Sequence, residues 1–143
     1  MSNNLIEATV QKLIELDNSI EDTKTHKLEE MAEVGRQDYF LVKVFGKEGP
    51  VQHFHIFTSD GRKVCLKFKE NAYFAHGKYL DKLNNNELKD IMNFMEKPNE
   101  KVEGYTNWQV AIFIWNLSNT NKNVQLDNKL QMPNYHNPRY DKK

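Results

Sequence analysis

The sequence predicts an α+β fold in which a three- to four-stranded antiparallel β-meander packs against N-terminal and C-terminal helices. Apolar residues recur with helical spacing in the first 34 positions, alternate with a period of two between residues 38 and 69, and regain helical spacing after residue 83. We expect a single domain over residues 1–118, followed by an extended or disordered tail over residues 119–143.

Two amphipathic helices are predicted before the strands. The first covers residues 4–17, where Asn4 is the N-cap and Glu7 completes a capping box. The second covers about residues 23–34, and Gly35 follows at the position where helices commonly end. Both segments are acidic, whereas the strands that follow are mildly basic, so the helices are expected to be able to cover the sheet.

Three strand candidates, each rich in β-branched and aromatic residues, make up the middle of the chain. They are DYFLVKVF (38–45), VQHFHIF (51–57) and KVCLKFK (63–69). The short connections KEGP and SDG favour antiparallel pairing of consecutive strands. A short fourth strand, AYFA (72–75), would extend the meander by one strand.

The turn after the second strand decides which side chains share a face of the sheet. A two-residue loop, Asp60-Gly61, would mix histidines with apolar residues, whereas a three-residue loop that begins at Ser59 pairs His55 with Cys65. We predict the three-residue loop, because burying each large apolar side chain is worth about 1.5–3 kcal/mol and only this register separates the two sets. One face then carries Phe54, Ile56, Val64, Leu66 and Phe68, and the other carries His53, His55, Cys65, Lys63 and Lys67.

Two helices with complete start signals close the domain. In residues 83–97, Asn84 is the N-cap and Glu87 completes the capping box. In residues 106–118 a threonine and a glutamine occupy the same two positions, and the body is apolar all round. That pattern predicts a central buried helix, with a buried strand as the alternative. The Asn-rich tail has no periodicity and is expected to be disordered or to lie over the domain or a partner.

Composition restricts the classes of protein that fit. The chain has 20 basic and 20 acidic residues, a mean hydropathy of −0.80, and one cysteine. No apolar run approaches the roughly 18 residues of a membrane span, and no signal peptide is visible. The single cysteine excludes an internal disulfide. We therefore expect a cytoplasmic protein that does not enter membranes, and the lack of a dense basic stripe argues against duplex nucleic acid as a partner.

Candidate chemistry is concentrated on the second face of the hairpin. His53, His55 and Cys65 offer imidazole and thiolate ligands, which suit Zn²⁺ and other transition metals, and His76 or Asp81 would complete a set. Histidine also suits general acid–base chemistry near neutral pH. The simplest interpretation, which we favour at this point, is a solvated or half-covered sheet surface without a cofactor, and zinc is the alternative.

Three motifs occur together within residues 38–118. They are a His-Phe-His strand at residues 53–55, an aromatic-His-Gly turn at residues 73–77 and a Thr-Asn-Trp helix start at residues 106–108. This combination resembles a set of small uncharacterised bacterial and phage proteins. The His-Phe-His strand is also loosely similar to that of a domain of unknown function built around a Pro-x-His-x-His strand. The resemblance implies a phage or mobile-element context, in which small neutral proteins often inhibit host defence systems.

These observations favour a non-enzymatic protein-binding module, such as an anti-CRISPR-like inhibitor whose partner is a defence effector. Tyrosine and arginine are enriched at interfaces, so the basic hairpin and the aromatic tail are the expected contact regions. The expected contact residues are His53, His55, Lys67, Tyr73, His76, Tyr135, Arg139 and Tyr140. The alternative is a small metal-dependent hydrolase or nuclease that uses the two hairpin histidines. A component of a toxin–antitoxin pair is a second alternative.

Overall fold

The computed structural model describes residues 31–46, 49–75 and 77–141, so the predicted helix over residues 4–17 lies outside the described part. The described residues form a mixed α+β structure, as predicted, with one sheet and two helices. The strands are β1 Met31–Gln37, β2 Phe40–Phe45, β3 His53–Thr58, β4 Lys63–Lys67, β5 Ala72–Phe74 and β6 Arg139–Asp141. The helices are α1 Asn85–Met95 and α2 Asn107–Ser118.

The sheet follows the order β1-β2-β3-β4-β5-β6. Neighbouring strands from β1 to β5 are antiparallel, which agrees with the predicted meander, and β6 returns to pair with β5 in parallel. The described part of the chain thus contains more strands than the sequence predicts. The additional strands are β1 at one edge of the sheet and β6 at the other.

The first strand corrects the prediction of a helix over residues 23–34, of which only the last four residues are described. Met31–Gln37 is extended and pairs with β2, and the register shifts between Glu33 and Gly35. Ala32 and Val34 alternate with more exposed neighbours and are 0% and 2% exposed. Pairing with β2 satisfies the backbone and buries both side chains, and this outweighs a weak local helix propensity. Gly35 therefore lies at a bulge and not at a helix end.

Both helices begin where the capping pattern predicts. Asn84 accepts a hydrogen bond from the backbone N–H of Glu87 at 2.8 Å, and Thr106 and Gln109 form the same reciprocal pair at the start of α2. Helix α2 is buried along most of its length, with Trp115 at 0% exposure, which confirms a central helix and rejects a strand there. None of the helices in the described part of the chain has the length and apolar content that a membrane span requires.

Residues 119–141, here called the C-terminal segment, lie over the domain. The indole N–H of Trp115 donates to the carbonyl of Val124 at 2.6 Å, and that of Trp108 donates to the carbonyl of Leu130 at 2.7 Å. Tyr135 is 1% exposed and belongs to the hydrophobic core. The segment therefore closes the side of the core next to α2 before it ends as β6.

Substitution of Gly35 by alanine tests the close approach of β1 to α1. A Cβ built at Gly35 would lie 2.9 Å from Cζ of Phe94, and the ring of Phe94 is held edge-on against Phe40 at 5.4 Å between centroids. We expect Gly35→Ala to lower the free energy of unfolding by about 1–3 kcal/mol, because overpacking forces the ring or the strand to move. Urea denaturation measures this change.

The matched control removes the obstructing atom. In a Phe94→Leu background the Cζ atom is absent, so Gly35→Ala should cost clearly less than in the wild-type background. An equal cost in both backgrounds would contradict the assignment of the Phe94 ring as the obstruction.

Candidate metal-binding site

The β3–β4 hairpin has the predicted register. His55 lies opposite Cys65, Phe54 opposite Leu66, and Ile56 opposite Val64. The apolar partners Phe54, Ile56, Val64 and Leu66 are all 0% exposed, as predicted for the face that packs on the core. The two histidines of β3 and the cysteine of β4 consequently share the opposite face of the sheet.

Turn chemistry and an ion pair hold this register. Gly61 has φ +96°, which is the left-handed conformation that the three-residue loop requires and that favours glycine. The guanidinium of Arg62 lies 2.6 Å from the Glu87 carboxylate and also bonds Asp60. It lowers the pKa of Glu87 and lowers that of Asp60 to about 2. The tip of the hairpin is thereby fixed to the first turn of α1.

One potential ligand atom from each of His53, His55 and Cys65 lies within 4.8 Å of the other two. The Sγ of Cys65 is 3.3 Å from Nδ1 of His55. In a tetrahedral zinc site, bond lengths of 2.0–2.3 Å place neighbouring donor atoms about 3.3–3.6 Å apart. The observed spacings therefore reach metal-site geometry after side-chain shifts of about 1 Å or less. We refer to these three side chains as the His₂Cys cluster.

The His₂Cys cluster is buried, which corrects the expectation of a solvated or half-covered surface. Exposure is 1% at His53, 0% at His55 and 1% at Cys65. The ring of Phe45 stacks on the imidazole of His55 at 4.3 Å between centroids, and Tyr79 meets the same imidazole edge-on at 4.6 Å. The ring of Phe74 on β5 lies 4.8 Å from the imidazole of His53. Aromatic side chains thus replace water around the imidazoles.

His53 is oriented by a backbone hydrogen bond. Its Nδ1 lies 2.7 Å from the carbonyl oxygen of Val51. A carbonyl only accepts, so Nδ1 carries the proton and the lone pair of the neutral ring is on Nε2. Metal-bound histidines commonly have this arrangement, in which the second ring nitrogen donates to a carbonyl and fixes the tautomer.

Lysines flank the cluster on the same face of the sheet. Lys43 of β2 is the cross-strand partner of His55, and Lys67 of β4 is that of His53. The ammonium of Lys67 lies 3.5 Å from the Glu70 carboxylate, which also bonds Arg139. The described residues contain one group of three or more histidine, cysteine or acidic side chains with metal-site spacing, and this group is the His₂Cys cluster. It contains no carboxylate.

The residues predicted to complete the ligand set are placed elsewhere or are not described. Asp81 is exposed and accepts a hydrogen bond from the backbone N–H of Lys63 at 2.9 Å, so it acts as a cap for β4. His76 lies outside the described residues. The hydroxyl of Tyr73 is buried and both donates to and accepts from the backbone of Leu83 at 2.9 Å.

The predicted contact residues of the tail are engaged within the molecule. Tyr135 donates its hydroxyl to the carbonyl of Lys67, and Arg139 pairs with Glu70. Tyr140 donates to the carbonyl of Leu80 at 2.8 Å. Their contact with a partner protein stays a prediction.

Sequence reasoning missed the aromatic cover of the cluster. Phe45 follows Lys43 and Leu41 with a period of two, so pairing β2 against β3 would have placed it on the histidine face. Tyr79 lies in an irregular stretch between β5 and α1, where no periodicity indicates which way a side chain points.

Comparison with known proteins found no matching family model, no matching curated protein and no matching solved structure.

Titration of Tyr135 tests how the C-terminal segment supports β4. Burial raises the pKa of its phenol well above the ordinary value. A raised pKa means that the unfolded chain ionises first, so this contribution to stability is complete below about pH 10 and is lost at up to about 1.4 kcal/mol per pH unit above it. Tyr135→Phe cannot titrate there and should lose less stability on the alkaline side.

The measurement is the free energy of unfolding of both proteins from pH 8 to pH 11. We expect Tyr135→Phe to be less stable by about 0.5–1.5 kcal/mol near pH 8, because the bond to Lys67 is lost, and the difference to shrink as pH rises. Other tyrosines are common to both proteins and cancel in the comparison. A difference that is independent of pH would contradict the burial of this phenol.

Proposed function

We propose that this protein binds a transition-metal ion through His53, His55 and Cys65. The observation that carries the proposal is the spacing of the three donor atoms, all within 4.8 Å of one another on adjacent strands. Imidazole and thiolate together favour zinc or copper over Mg²⁺, Ca²⁺ or Mn²⁺, which prefer oxygen ligands. The orientation of His53 by a backbone carbonyl adds the outer hydrogen bond that such ligands usually make.

The burial of the cluster favours a structural or carrier site for the metal over a catalytic site that is open to substrate. Catalytic zinc keeps one coordination position open to water or substrate, whereas structural sites are closed by the protein. The three side chains are at most 1% exposed and aromatic rings lie against both imidazoles. This supports retention or carriage of the ion, and gives less support to a metal-dependent hydrolase or nuclease.

The resemblance to phage proteins implies a protein-binding role, and the surface of the described residues gives less support to that role. One large hydrophobic side chain among the described residues is exposed, that of Leu80 at 52%. The described residues therefore present no extended apolar patch. The metal proposal is therefore the one that the side-chain geometry supports best.

Metal analysis of the purified protein tests the proposal. We expect one equivalent of metal in the wild-type protein, and loss of that metal in His55→Gln and in Cys65→Ser, because each substitution removes one of three ligands. The ion binds the folded state, so it should also stabilise it, by about 2.7 kcal/mol at a free concentration about 100-fold above Kd.

His136→Gln is the matched control, since this histidine is exposed and lies outside the cluster. It should keep full metal content and the full rise in melting temperature. Metal that survives in both ligand variants, or that is lost equally in the control, would refute the site.

A further inference from the structure

We infer that the ion held by the His₂Cys cluster is monovalent copper, Cu(I). This inference rests on the proposed metal-binding function and goes beyond it by naming the ion. It follows from the charge of the donor set, the apolar surroundings of the cluster and the lysines that lie beside it.

The donor set carries one negative charge. Cys65 binds a metal as a thiolate, and both histidines bind as neutral imidazoles. With Cu(I) the charges of the ion and the donor set cancel, whereas Zn²⁺ leaves a net charge of +1. Residual charge is costly in a buried site, and these side chains are at most 1% exposed. The surroundings therefore favour the monovalent ion.

The rings around the cluster strengthen this preference. Phe45 and Tyr79 both lie against the imidazole of His55, at 4.3 and 4.6 Å between ring centroids, and Phe74 lies 4.8 Å from the imidazole of His53. Hydrocarbon and aromatic side chains solvate a charged complex less well than water does. A neutral complex loses less on entering this environment than a cationic one.

Positive charge beside the site also favours a monovalent over a divalent ion. Lys43 and Lys67 are the cross-strand neighbours of His55 and His53, so their side chains start about 5 Å from those of the ligands. Glu33 lies opposite Lys43 on β1 and offsets part of its charge. Glu70 offsets part of the charge of Lys67 but also pairs with Arg139. Coulomb repulsion is proportional to the charge of the ion, so any repulsion that remains acts twice as strongly on Zn²⁺ as on Cu(I).

The arrangement of donors also fits copper. His53 and His55 are two residues apart on β3, and Cys65 faces His55 from β4, so the three donors form a triangle on one face of the sheet. Copper accepts a trigonal set of two imidazoles and one thiolate, whereas structural zinc is normally four-coordinate.

The experiment is a competition on the full-length protein. Apoprotein under anaerobic, reducing conditions receives one equivalent of Cu(I) in the presence of a chromogenic Cu(I) chelator, followed by an excess of Zn²⁺. We expect one copper to stay on the protein and zinc not to displace it. Zinc that binds stoichiometrically and displaces copper would overturn the inference and leave the metal-binding proposal intact. Failure of both ions to bind would overturn both.

Lys67→Leu tests the electrostatic preference directly, because leucine removes the charge without adding a group that binds metal. Removal of this charge should raise the affinity for Zn²⁺ by about the square of the factor for Cu(I), because the repulsion doubles with ion charge. Lys89→Leu, on the exposed side of α1, is the control and should change neither affinity. An equal effect of Lys67→Leu on both ions, or no effect on either, would contradict the electrostatic basis of the selectivity.

Discussion

The register of the β3–β4 hairpin is the constraint on which the rest of this structure depends. Gly61 in the left-handed conformation closes the three-residue loop, and Arg62 ties the hairpin tip to Glu87 on α1. A slip of one residue would send Phe54 to the other face and bring its neighbouring histidines into the apolar core. The same register that buries the apolar side chains therefore also brings the imidazoles and the thiol together.

This sheet is buried on both faces at its centre, and the two faces are built differently. One face packs on α2 and the C-terminal segment through aliphatic and aromatic side chains. The other face covers two imidazoles and a thiol with aromatic rings. Buried polar groups are normally satisfied, and His53 and His55 each have a polar contact, to Val51 and to Cys65. A metal ion would join those contacts into one centre that links β3 to β4.

Much of the fold is readable from local sequence signals. The helix starts at Asn84 and Thr106 and the loop at Gly61 are specified by nearby residues, and all three agree with the structure. The two additional strands are not locally specified. Residues 31–37 become β1 because β2 offers a pairing edge, and residues 139–141 pair with β5 after the C-terminal segment has crossed the core. Neither event leaves a periodic pattern in the sequence.

The candidate site was predictable in its members but not in its burial. Alternation along β3 and β4 places His53, His55 and Cys65 on one face, whereas their cover comes from Phe45 on β2 and from Tyr79 in a loop. Burial is a property of the tertiary structure, and it changes the interpretation from a solvated sheet surface to a buried cluster whose donor atoms have metal-site spacing.

X-ray absorption spectroscopy of the metal-loaded protein tests the central claim most directly, since it counts the donor atoms that the hairpin brings to one ion. The account predicts that two imidazole nitrogens and one sulfur are bound directly to the metal. A spectrum with oxygen and nitrogen neighbours and no sulfur would contradict it, because Cys65 would then lie outside the site that the register places it in.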